Sequence, residues 1–392
     1  MSLLLCVGLS IICFDLIPLS SHTTQRDIHH IPLHREIIIK PSQYNYNNYW
    51  DCDGVNELYR QFQLGDESFY APYIRYILNQ PRGRTPQDWT VGGMRLLDVI
   101  TNKEQLSQHA QQHEQQQLDN DGGRIMNRLP PTYKTTDFQQ WLDECNGEDT
   151  PLSRHAVYQY ISRDEDTLLI PFYDIHNHSN NPTKLNSHIL KPKHPGKSFV
   201  LKSSRDIHPG EQIYISYNKC HPCWFDTTFR GCKSFSNYGS SDIFFVYGFV
   251  EDWPQYWNYK IVTSRSSSDE DVVIEEVEFC ISPTSGEEND NNELHAHFVD
   301  SDYIPSHEHI TWFAQHLLRL NEVKLSMKND LELKQSMPSH EWDNAWLYYQ
   351  SLVTSISLAI VEAIDSSREK SEAAAANQQS LDCMLDELSC EE

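Results

Sequence analysis

One stretch, residues 171–251, constrains this 392-residue chain more than any other. It holds three polar and aromatic motifs. PFYDIHNHSNN (Pro171 to Asn181) places Asp174, His176, Asn177 and His178 directly after an apolar run. SSRDIHPGEQIYISYN (Ser203 to Asn218) has a Pro-Gly-Glu turn at Pro209 to Glu211, and then tyrosines alternating with isoleucines as a half-buried strand would. NYGSSDIFFVYGFVE (Asn237 to Glu251) is strongly apolar and aromatic from Ile243 to Phe249. The remainder of the chain reads as walls and support around these three.

The length allows one large domain or two average ones. Against 56 Asp and Glu stand 31 Lys and Arg, a formal net charge of −25. A surface that acidic repels phosphate backbones, so no nucleic-acid partner is expected. It favours a basic protein or peptide, although a merely solvated acidic surface gives the same count. The ten cysteines are too few and too scattered for a small disulfide scaffold, and most are expected to be buried thiols.

Leu3 to Leu19 is apolar apart from Gly8, Ser10 and Asp15. It is too short and interrupted for a membrane span, and no span is expected. It resembles the apolar part of a signal or targeting peptide but lacks a basic start; a buried first element is the other reading. Arg35 to Lys40 is a strand candidate. Val55 to Leu64 has a helical apolar face, and Ser68 to Leu78 is a second apolar stretch. Residues 105–123 are Gln-rich and low in complexity, as suits an exposed insertion. Asp137 to Cys145 reads as a short helix and Val272 to Ile281 as a strand between acidic loops. Helical patterning follows over His309 to Leu320, Leu325 to Leu333 and Glu341 to Ile364, the last strongly amphipathic. Residues 366–392 are acidic and Ala/Gln/Ser-rich, and disorder is expected there.

Taken by themselves, His176 and His178 could ligate a metal, but no third ligand has a defined spacing. No GxSxG elbow, P-loop or GxGxxG is present, so hydrolase and nucleotide folds lack support.

Together the motifs resemble the SET-domain protein methyltransferases, and most closely the Rubisco large-subunit lysine methyltransferase class. The resemblance rests on Asn177-His178, Gly210-Glu211-Gln212-Ile213-Tyr214-Ile215-Ser216-Tyr217, Asn237 and Tyr247-Gly248-Phe249, in that order, and covers roughly Asp51 to Ile364. It implies an α+β fold: a SET-type arrangement of short β-sheets with a helical insert, plus a C-terminal all-helical domain. The expected divisions are an N-terminal segment (1–50), the insert (51–150), the catalytic core (151–257), a mainly helical substrate-binding-type domain (258–365) and the tail (366–392).

The same resemblance implies S-adenosyl-L-methionine as cofactor and methyl transfer to a lysine in a basic segment of a protein substrate. It implies Tyr217 as the catalytic tyrosine and Tyr247 as a second phenol lining the lysine channel. Asn177, His178 and Phe249 would lie at the cofactor. Arg154, in a Ser153-Arg154 pair, would approach the cofactor's carboxylate. A related subgroup that methylates histidine has a smaller residue where Tyr247 stands, so the phenol favours lysine. Histidine methylation and a catalytically inactive, protein-binding SET-like scaffold remain alternatives. A monomer is expected, and the compartment is left open between cytoplasm, plastid and nucleus.

Two departures from the family pattern stand out. The usual Gly-x-Gly turn at the start is not recognisable in residues 1–50, which contain only Gly8, so a leader or a diverged or truncated start is expected there. The insertion from Lys219 to Ser236 carries Cys220, Cys223 and Cys232, weak zinc candidates that lack a fourth ligand nearby.

Overall fold

The computed structural model describes residues 31–32, 52–101, 137–165, 168–169, 174, 176–181, 183–190, 200–217, 239–264, 272–283, 293–299 and 305–389. In chain order the first elements are β1 (Ile31–Pro32), α1 (Cys52–Leu64), α2 (Ala71–Leu78), α3 (Val91–Thr101), α4 (Asp137–Glu144) and α5 (Pro151–Ile161). Short strands follow: β2 (Asp164–Glu165), β3 (Leu168–Leu169), β4 (Asn177–His178), β5 (Ser187–Leu190), β6 (Val200–Ser203) and β7 (Tyr214–Ile215). The last are α6 (Ser240–Tyr247), β8 (Gln255–Ser264), β9 (Val272–Pro283), β10 (Leu294–Phe298), α7 (His307–Asn329), α8 (Leu331–Gln335) and α9 (Ser339–Ser389). The fold is α+β, with small sheets and a C-terminal helical region.

Four helices build a first core. Val55, Leu58 and Phe62 recur at helical spacing on α1 and are buried against Ile74 and Ile77 of α2, Phe138 and Trp141 of α4, and Ala156, Val157 and Tyr160 of α5. The start of α5 is fixed locally. Thr150 Oγ1 accepts the Ser153 amide at 3.1 Å while Ser153 Oγ accepts the Thr150 amide at 3.0 Å, and Pro151 fills the first helical position.

A disulfide between Cys52 and Cys145 joins the first residue of α1 to the residue that follows α4. These two cysteines are therefore not among the thiols, and Cys280 is also disulfide-bonded. The helices bring Cys52 and Cys145 to a Cα–Cα distance of 5.2 Å from 93 residues apart, a closure that local spacing does not reveal.

The second core lies under an antiparallel sheet of order β10-β9-β8. Trp257 and Tyr259 of β8 and Phe279 of β9 are buried with Phe244 of α6, Phe313 of α7, and Tyr348, Leu352 and Ile356 of α9. The Tyr259 and Phe279 rings stack at 5.6 Å. The strand expected at Val272 to Ile281 is β9, flanked by β8 and β10, and the helical region follows from His307. The alternation of β8 was masked by its own aromatic density, because a strand packed against helices need not show polar residues on every second position. Leu96, Leu97 and Ile100 of α3, placed by sequence in the insert, also belong to this second core.

The tail expected to be disordered continues α9 without a break to Ser389. No Pro or Gly interrupts 366–389, and Ala373 to Ala376 are strong helix formers. Ser339–Glu369 is long and apolar enough to cross a membrane by length and composition alone. Its Ala345, Tyr348, Leu352, Ile356 and Ala359 are buried in the protein, the position of a core helix.

The Arg35 to Lys40 strand candidate, the 105–123 insertion and Leu3 to Leu19 lie outside the described residues.

Closing so long a loop restricts the unfolded chain, so Cys52→Ser is expected to lower stability by about 2–4 kcal/mol. Chemical denaturation of Cys52→Ser, Cys145→Ser and the double variant, all without reductant, checks this: the three should lose the same amount relative to the parent.

Candidate active site

Two strands of two residues each bring the first and second motifs together. β4 and β7 pair in parallel, Asn177 opposite Tyr214 and His178 opposite Ile215. The Asn177 amide donates to the Ile213 carbonyl at 3.3 Å and the Ser179 amide to the Ile215 carbonyl at 3.0 Å. So short a ladder needs side-chain help. Asn186, fully buried, accepts the Tyr214 amide at 2.8 Å and donates to the Gln212 carbonyl at 2.8 Å. Ser187 Oγ donates to the Tyr214 carbonyl at 2.9 Å. The turn before β7 has Gly210 at φ +84°, a conformation glycine adopts without a Cβ clash. Glu211 accepts the His208 amide at 2.9 Å and pairs with Arg205 at 2.5 Å. The Arg205 hydrogen bond, with the His208 amide behind it, pulls the Glu211 carboxyl down to about 2.

Tyr217, just past β7, is held at both ends. Its amide donates to His178 Nδ1 at 2.9 Å, and its hydroxyl donates to the His176 carbonyl. Because Nδ1 accepts, the His178 proton sits on Nε2, which donates to Glu251 Oε2 at 2.7 Å. Both side chains are sealed from solvent, at 1% and 0% exposure. Glu251 also takes hydrogen bonds from Asn180 Nδ2 at 2.9 Å and from the Ser240 hydroxyl.

The third motif completes an aromatic cluster. The Tyr217 ring lies 4.5 Å from Tyr247 and 6.3 Å from Phe249, and His178 lies 5.7 Å from Phe249. Burial pushes the Tyr217 phenol well above its ordinary value; the Arg163 charge opposes this and the Asp174 charge adds to it. Asn177, His178, Tyr217, Tyr247 and Phe249 are thus brought together.

Arg154 is not joined to this cluster by any described contact. Its guanidinium donates to Asp149 at 2.8 Å and lies over the Phe138 ring at 4.3 Å. The arginine that reaches the first motif is Arg163. It donates to the Asp174 carbonyl at 3.2 Å and to Asp174 Oδ2 at 3.3 Å, and lies over the Tyr76 ring at 5.8 Å. Tyr73 of α2 donates to the same Oδ2 at 2.5 Å, so the insert closes directly on the motif. Burial raises the Asp174 carboxyl, against the pull of Arg163. Its other oxygen, Oδ1, is buried and finds no hydrogen-bond partner among the described residues.

Sequence reasoning missed Arg163, Tyr73 and Glu251 as parts of the site. A signal for the first existed: Ser162-Arg163 is a second Ser-Arg pair, nearer to Asp174 than Ser153-Arg154.

The corner after Tyr247 is packed from outside. Gly248 ends α6 at φ +80°, and a Cβ there would fall 1.9 Å from the Arg84 carbonyl oxygen. The start of α9 braces the same region. His340 Nε2 donates to the Gly83 carbonyl at 3.0 Å, Glu341 accepts the Thr90 amide at 2.9 Å, and Asn344 donates to the Gly248 carbonyl at 3.4 Å. Cys220, Cys223, Cys232 and Asn237 lie outside the described residues, among which no cluster could hold a metal ion. Gly248→Ala combines a left-handed φ with a backbone overlap, so it is expected to cost at least about 2 kcal/mol. Urea unfolding measures it, and Gly210→Ala, with open space around its Cβ, is expected to cost less.

No curated protein and no solved structure matches the chain. One family model does, that of the SET domain, over residues 30–218. The match takes in β1, inside the 1–50 stretch where no family turn was recognisable, and β1 pairs with β6 through Ile31 opposite Leu201. It runs through the parallel β4–β7 pairing and ends one residue after Tyr217, and it supports a SET-domain protein methyltransferase.

Proposed function

We propose that the chain is an S-adenosylmethionine-dependent protein-lysine methyltransferase whose site is the cluster around Tyr217. The observation that carries this reading is the pair of phenols, Tyr217 and Tyr247, 4.5 Å apart beside Phe249 and His178.

The residues present fit the cofactor. Among the described residues the buried Asp174 Oδ1 accepts no hydrogen bond, and an ammonium group would supply a donor there. Arg163, 11% exposed, offers a fixed cation for a carboxylate. The Asn177 side chain is exposed in the same motif, and Phe249 gives an aromatic face. Asn177, Asp174, Arg163, His178 and Phe249 would hold the cofactor, which supplies an electrophilic methyl group on a sulfonium.

The chain's own residues have three tasks. Tyr217 and Tyr247 form an aromatic wall that excludes water and tolerates a cation against the ring faces. Such a wall favours the neutral amine over the ammonium, whose reference pKa is about 10.4. The Tyr217 hydroxyl has its proton committed to the His176 carbonyl, so its oxygen lone pairs are left for the incoming amine and the polarised methyl. Holding nitrogen and methyl in line is then the main work, as alignment alone is worth several orders of magnitude.

The Tyr247 phenol favours lysine over histidine as target. The net charge of −25 favours a basic segment around that lysine. For the compartment, the Cys52–Cys145 bridge is the chemistry of oxidising environments and favours one of these over the cytosol.

Incubation of the pure protein with a lysine-rich protein mixture and labelled cofactor tests the reading. Tyr217→Phe is expected to lower label transfer about a hundred-fold. Label on histidine would select the alternative target. Equal labelling by both proteins would remove Tyr217 from the chemistry. Calorimetry showing no S-adenosylhomocysteine binding would favour a scaffold without turnover.

A further inference from the structure

Beside the site lies a buried carboxylate that the reaction does not itself use. Glu251 is 4% exposed, and among the described residues an imidazole, an amide and a hydroxyl donate to it. Burying a carboxylate costs several kcal/mol unless it is well hydrogen-bonded. What the carboxylate adds is a strong acceptor aimed at His178 Nε2.

That aim decides what the other side of the ring can do. With the proton held on Nε2, Nδ1 presents a lone pair, and that lone pair takes the Tyr217 amide. The β4–β7 ladder has already ended at Ile215. The imidazole therefore stands in for the carbonyl that the strand no longer offers, and continues the pairing to the residue that matters. With the proton on Nδ1, the ring and the Tyr217 amide would meet donor to donor, and the strand end would have to move.

We infer that Glu251 is a positioning residue, which fixes the His178 tautomer and through it the main chain of Tyr217. The inference rests on the methyltransferase reading for its purpose, and on geometry alone for its mechanism. Asn180 ties the two ends together. It donates to Glu251 and accepts the Ser216 hydroxyl at 2.7 Å, so the residue before Tyr217 is held from the same carboxylate.

Nitrogen NMR of histidine-labelled protein, with His178→Asn to assign the ring, reads the tautomer directly. The parent is expected to show the Nε2-protonated form. Glu251→Leu removes the acceptor and should abolish that signature and speed Tyr217 amide exchange at least tenfold. Glu251→Gln keeps one oxygen that can face His178 and should restore both readouts most of the way. Ser240→Ala loses a different bond to the same carboxylate and should leave both unchanged. A merely structural Glu251 would move all three variants in step with their melting temperatures, which overturns the relay. An Nδ1-protonated His178 in the parent overturns it without any Glu251 variant, even if Glu251→Leu does not fold. Calorimetry with S-adenosylhomocysteine keeps the two proposals apart. A parent that binds it with the wrong tautomer loses the relay alone, and a parent that does not bind it loses the methyltransferase reading and with it the relay's purpose.

Discussion

Four residues of parallel pairing hold this site together. Asn177 and His178 lie beside Tyr214 and Ile215, and nothing else in the described backbone joins the first motif to the second. A ladder that short has little stability of its own, so the surrounding polar side chains act as further rungs. Asn186 brackets one end of β7 and the His178 ring the other. Each is buried, which raises the strength of its bonds and also the penalty for losing any one of them. The polar residues are therefore the skeleton of the centre, and the apolar cores are its mounting.

The mounting comes from two directions. The four-helix core delivers Tyr73 and Arg163 to Asp174 from one side. The sheet-and-helix core delivers α6, and with it Tyr247 and Phe249, from the other. The loop around Arg84 runs between α2 and α3 and presses on Gly248, while α9 clasps that loop through His340 and Glu341. A single helix of the C-terminal region thus touches both the insert and the corner of the third motif.

Much of this was legible in the sequence, and the reasons differ by element. The helical face of α1 and the amphipathic α9 follow from spacing, a local property. The convergence of Asn177, His178, Tyr217, Tyr247 and Phe249 came from the likeness of motif wording to a family, since no periodicity places residues so far apart in one cluster. Three features escaped. Arg163 was overlooked for Arg154 because both follow a serine, and only the end of α5 decides which one reaches Asp174. Glu251 looked like the polar end of an apolar run, and its role depends on a histidine that is remote in sequence. The strands β8 and β10 were hidden because their partners lie across loops, and because β8 is dense in aromatics while β10 is only five residues long. In each case the deciding contact is long-range.

The bridge from Cys52 to Cys145 gives the chain a topology as well as a tether. Everything from α1 through α4 lies on a covalently closed ring, and the only exits are the two half-cystines. A nick anywhere between 102 and 136 would open that ring without dividing the molecule. The two fragments would travel as one species on a non-reducing gel and separate only when the sulfurs are reduced.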